Sequence, residues 1–216
     1  LVVATHHPRS PELEAQYGAP NVVIEELDMS ALRQSQTKSK LRYLMRMVRL
    51  LTYNMRSGYP LNARRFMAYE FRCEHPWSRM RVTGKLYIAT ILFLPHVLGR
   101  SRLLRRVWVW LEDRFYGRDT QERLFSRYRP DMVLISSLGY GFDEQLINES
   151  GRRRVPVVTA IQSWDNTTTW GYPGGTPDHV IAWSDVMRRE ARDLLDVDPA
   201  RVFVGGVPHW DNYFDG

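Results

Sequence analysis

From Asp131 to Ile161 the chain reads DMVLISSLGYGFDEQLINESGRRRVPVVTAI, and this stretch decides the fold. A short aliphatic run, DMVLIS, is followed by a glycine-bearing turn, a helix-length segment from Phe142 to Ser150 and a second apolar run, VPVVTAI. Short apolar runs bounded by turn residues read as buried strands, and a strand, helix, strand order calls for a right-handed crossover and parallel pairing. The rhythm continues with a strand over Asp178 to Trp183, a helix over Ser184 to Leu195 and a strand over Arg201 to Val204. Upstream, LVVAT (Leu1 to Thr5) and NVVIEEL (Asn21 to Leu27) supply two further strands. The expectation is an α/β fold, a Rossmann-like doubly wound parallel sheet.

With 216 residues the chain can bury one sizeable core. A lone cysteine, Cys73, excludes an internal disulfide and suits a reducing compartment. The chain opens inside a strand-like run and stops just after another, which reads as the N-terminal portion of a larger protein. Residues 1–216 are thus expected to form one Rossmann-like domain, interrupted by a helical insertion over about 30–126.

That insertion holds much of the positive charge, the chain as a whole carrying a formal +6. Between Arg33 and Arg72 ten Lys and Arg residues face one acid, Glu70. Leu41, Leu44, Met45, Val48, Leu51 and Met55 recur at helical spacing, predicting a basic amphipathic helix whose apolar stripe is backed by arginines. The most hydrophobic segment, Leu86 to Leu98, is shorter than the roughly 20 residues a spanning helix needs and contains Pro95, so it is read as a non-spanning segment. Four arginines within Arg100 to Arg106 then form a cationic turn into an aromatic-rich helix. Cations beside apolar and aromatic residues in both segments suit an anionic membrane surface. No nucleic-acid-binding signature is present.

In an open parallel sheet ligands bind beyond the carboxyl ends of the strands, and here the segments after the strands are rich in functional side chains. His6 and His7 follow the first; Gly139, Tyr140 and Gly141 follow DMVLIS; Ser163, Trp164, Asp165 and Asn166 follow VPVVTAI; His209 and Asp211 follow VFV. The two glycines permit close backbone approach to a ligand, and SWDN groups a hydroxyl, an indole, a carboxylate and an amide. Asp165 or Asn166 equally suits a cap on a turn through TTTWG. Adjacent histidines on an extended chain point to opposite faces, so a metal site is not expected. HExxH, CxxC, Walker and GxSxG patterns are all missing.

The runs RPDMVLISS, VPVVTAIQSWDNTTTWG and PDHVIAWSDVMRREARDLLDVDPARVFVGGVPHWDNY, spanning about Arg129 to Tyr213, resemble the N-terminal half of GT-B glycosyltransferases. The nearer likeness is to the bacterial surface-carbohydrate group related to CDP-glycerol glycerophosphotransferases and UDP-N-acetylglucosamine 2-epimerases. Its pattern appears here as Pro130-Asp131, Ser163 to Asn166, Ala182-Trp183 and Val202 to Asp211, with Trp170 where that group often has a basic residue.

The resemblance implies a metal-independent enzyme, without cofactor, in which this half binds a glycan or lipid-linked acceptor and a second domain binds the nucleotide-activated sugar donor. It implies transfer of a glycosyl or glycerophosphoryl unit onto a hydroxyl in cell-surface polysaccharide biosynthesis. His6, His7 and Asp165 are then the candidate bases, and Gly139, Tyr140, Gly141, Ser163, Trp164, Asn166, His209 and Asp211 the candidate substrate contacts. A nucleotide-sugar epimerase half and a basic membrane-binding adaptor are the alternatives. The expected location is cytoplasmic, peripheral at the inner face of the cell membrane.

Overall fold

The computed structural model describes residues 1–5, 10–30, 40–53, 55–56, 69–70, 72–74, 81–117, 119–138 and 142–207. It is an α/β fold in which every described strand pairing is parallel. The strands form two sheets. β1 (Val2–Thr5) pairs with β2 (Val23–Glu26), with α1 (Pro11–Tyr17) between them in the chain. β3 (Val133–Ile135), β4 (Val157–Ala160), β5 (His179–Ala182) and β6 (Val202–Val204) lie side by side in chain order. The strand at the head of the chain thus heads its own two-stranded unit. Residues 27–132 lie between the two sheets in sequence and carry α2 (Lys40–Leu50), α3 (Val82–Gly99), α4 (Arg102–Tyr116) and α5 (Glu122–Tyr128).

Register fixes which side of the larger sheet is buried. Val133 pairs with Val157, Thr159 with Val180 and Val180 with Val202. Paired residues, and residues two apart on a strand, share a face, so Ile135, Val157, Thr159, Val180, Ala182 and Val202 all point the same way. Onto that face pack α6 (Asp143–Arg153), through Ile147, and α7 (Asp185–Leu195), through Met187, Ala191 and Leu194. Leu134 and Phe203, on the opposite face, are exposed.

The helices start and stop where side chains allow. Ser184 caps α7 by accepting from the Met187 amide at 3.4 Å, and Asp196 ends it in the left-handed region at φ 60°. Asp is among the residues that tolerate that conformation. Ser101 caps α4 (Arg102–Tyr116) in the same manner. The expected cationic turn is therefore the first turn of a helix, following α3 (Val82–Gly99) almost without a break. Pro95 does not end α3, which runs through it to Gly99. Among the described residues α3 is the one helix long and apolar enough to cross a membrane. Its inner side, Ile88, Ile91 and Leu98, packs with Val48 and Leu51 of the α2 region in a cluster separate from the sheet core.

The basic helix α2 spans Lys40–Leu50, and most of the expected apolar stripe is buried: Met45, Val48 and Leu51 face the core and Leu44 packs against it. Arg42, Met45, Val48 and Arg49 are buried, whereas Leu41 is 56% exposed. Arg49 faces inward because Glu112 and Glu144 from other helices meet it, and the Arg42 guanidinium lies 6.0 Å from the Tyr116 ring.

Candidate functional site

Because β3 to β6 are parallel, the segments that leave Ile135, Ala160, Ala182 and Val204 all start from one edge of the sheet. Of these, the segment after β4 is described throughout, and its two ends differ. The first end is polar and partly open. Trp164 is 72% exposed, while Asp165 and Asn166 are half-buried. The Asp165 carboxylate accepts the Ser163 hydroxyl at 2.6 Å and the Thr169 hydroxyl at 3.2 Å. Its backbone carbonyl accepts the amides of Thr168 and Thr169, each at 3.0 Å. Asp165 therefore organises a run of turns over residues 164–168, as in the capping alternative to a ligand role, although no regular helix follows. Thr167 fixes the turn from below, donating its hydroxyl to Glu190 of α7 at 2.5 Å.

The second end, Tyr172 to Gly175, is buried. Gly171 adopts φ +76°, and a side chain there would run into the Leu50 carbonyl at the end of α2. Gly174 lies against the Glu144 carboxyl and Gly175 against Ile147, so glycine is required for close approach to α6. Asn148 of α6 donates to the Gly174 carbonyl at 3.0 Å.

Two ionic nodes meet at Tyr172. In the first, the Arg49 guanidinium donates to Glu112 of α4 at 2.7 and 3.3 Å, to Glu144 of α6 at 2.6 Å and to the Tyr172 carbonyl at 3.0 Å. Burial works against the charge on Arg49, but Glu144 and Glu112 outweigh it and hold its pKa above the ordinary arginine value. Burial pushes the Glu144 carboxyl up, with Glu112 adding to the shift and Arg49, Arg46 and Arg42 opposing it. In the second node, Arg105 of α4 grips Asp196 at 2.7 and 2.8 Å and also donates to the Gly99 carbonyl at 2.8 Å. The Tyr172 hydroxyl donates to the same Asp196 carboxylate at 2.9 Å, and its ring lies 5.7 Å from the Arg105 guanidinium. Burial, then the neighbouring Asp196, drives the Tyr172 phenol well above its usual pKa.

Helices α2 and α4 are thus fastened to the buried end of the loop, leaving the SWDN end outside. Neither node is visible in local sequence: Arg49 meets Glu112 across 63 residues and Glu144 across 95. The one available hint is Asp196 closing a helix where Gly is commoner.

Of the candidate residues, the structure brings Ser163 and Asp165 into one hydrogen-bonded turn, which Thr169 joins, with Trp164 exposed beside it. His6, His7, Gly139, Tyr140, Gly141, His209 and Asp211 lie outside the described residues. Among the described residues no group of three His, Cys, Asp or Glu side chains could hold a metal ion. Comparison with known protein families, with curated proteins and with solved structures finds no match to this chain.

Proposed function

We propose that the chain is the acceptor-binding half of a glycosyltransferase or glycerophosphotransferase, with the nucleotide-activated donor held by a second domain. The observation that supports this reading is the exposed Trp164, set beside half-buried Asp165 and Asn166 on a loop leaving the carboxyl edge of a parallel sheet. An indole face and fixed amide and carboxylate groups are what a sugar ring needs: an apolar platform and oriented partners for hydroxyls. The buried end of the loop, clamped through Tyr172, keeps that platform in place without ordering it anew on binding.

In this reading Asp165, already holding two hydroxyls, orients the acceptor. Removal of the acceptor proton is tested among Asp165, His6 and His7. Developing charge on the leaving diphosphate is met by the donor domain. The direct test titrates the chain with glycerol-phosphate and N-acetylglucosamine oligomers under saturation-transfer NMR. Trp164→Ala is expected to weaken binding by about tenfold, roughly the worth of one aromatic contact, with the thermal midpoint unchanged. Unaltered binding in both Trp164→Ala and Asp165→Asn would sink the reading.

A further inference from the structure

The arginines of α2 that suggest a membrane surface by composition are in part turned inward, so the face that could meet a bilayer has to be sought elsewhere. The outward sides of α3 and α4 supply it. Leu86 and Phe93 fall on one helical stripe of α3, seven residues apart, and Phe93 is 69% exposed. Leu103 and Trp110, again seven apart, are exposed on α4, with Arg106 and Arg114 four residues from Trp110 on either side. α3 contains no acidic residue; of the two acids of α4, Glu112 is buried in the Arg49 node and Asp113 is paired with Arg152 of α6 at 2.7 Å.

We propose that the α3–α4 hairpin is an interfacial docking surface for an anionic lipid bilayer. Exposed aliphatic and aromatic side chains at helical spacing, flanked by arginines and with the one nearby partly exposed carboxylate, Asp113, neutralised by Arg152, fit hydrocarbon beneath an anionic headgroup layer. The apolar groups enter the boundary and the long cationic side chains reach the phosphates. The inner sides of α3 and α4 stay in the bundle with α2, so the hairpin lies on the membrane with its own core intact. This inference is independent of the acceptor reading, since it concerns different elements and needs no turnover.

The test is co-sedimentation of the chain with phosphatidylcholine vesicles, with and without phosphatidylglycerol, across a salt series. Binding is expected to the anionic vesicles alone and to fall with salt. Phe93→Ser with Trp110→Ser should weaken it by about tenfold or more, and Arg106→Glu with Arg114→Glu by on the order of thirtyfold. Trp164→Ser, an equally exposed tryptophan on the SWDN loop, should leave it unchanged. All these positions are exposed, so circular dichroism is expected to show the parent fold in each variant. Binding to both vesicle types alike, no binding, or variants that bind like the parent would overturn the proposal. So would retention in carbonate-washed membranes, which would make α3 a spanning segment, or self-association through Trp110 without lipid binding, which would make the face an interface between copies.

Discussion

Helices α2 and α4 are both basic and amphipathic, yet they use their arginines in opposite ways. Arg49 is 1% exposed and holds carboxylates from two other helices, whereas Arg106 and Arg114 stand on an exposed face beside Trp110. Within α4 itself Arg105 turns inward to Asp196 while its neighbour Arg106 turns out. Composition does not distinguish these positions; a carboxylate waiting on another element does. An arginine without such a partner stays in water, because burying it alone costs far more than packing its stem returns.

The contrast is broken most severely by removing the inward arginine. Arg49→Met leaves Glu112 and Glu144 buried without their cation and is expected to cost about 3–5 kcal/mol, whereas Arg114→Met should cost less than about 0.5 kcal/mol. Urea melts of the two variants make the comparison. Similar losses in both would mean that α2 and α4 do not differ as described.

A smaller effect concerns Glu149 of α6, which is fully buried and accepts the amides of Thr120 and Gln121 at 2.8 and 3.0 Å. Burial pushes its carboxyl up, against the pull of those two donors. A carboxyl raised in the folded state adds stability that is complete below its unfolded pKa, about 4.3, and is lost as pH rises through the folded value. Glu149→Gln removes that titration while keeping an oxygen for the two amides. Its stability relative to the parent should therefore improve between pH 4 and pH 7, as read by denaturant melts at each pH. A constant difference across that range would show that Glu149 titrates as an ordinary carboxyl.

Much of the sheet was legible because its cues are local. DMVLIS and VPVVTAI contain β3 and β4, Ser184 marks the start of α7, and the alternation of elements implies the parallel pairing that is observed. The separation of β1 and β2 into their own sheet was not legible, since it turns on which strand edges meet across residues 27–132. Nor was the inward turn of two arginines of α2: Met45, Val48 and Leu51 are buried as the apolar spacing expects, but Leu41 is exposed while Arg42 and Arg49 are buried beside the stripe. Pro95 misled in the other direction, because a helix already packed on both neighbours tolerates a proline that an isolated one would not. At the candidate site the turn-forming role of Asp165 followed from its spacing to Thr168 and Thr169, but the clamp on Tyr172 came from residues far away in sequence.

Arg49 braces helix α2 against α6 on the larger sheet through Glu144. A double-mutant cycle of Arg49→Met and Glu144→Gln, followed by urea unfolding, measures that link with other effects cancelled. A coupling above about 1 kcal/mol is expected, with the double variant more stable than the Arg49→Met single because no orphaned Glu144 charge remains. Additivity to within about 0.5 kcal/mol would contradict it.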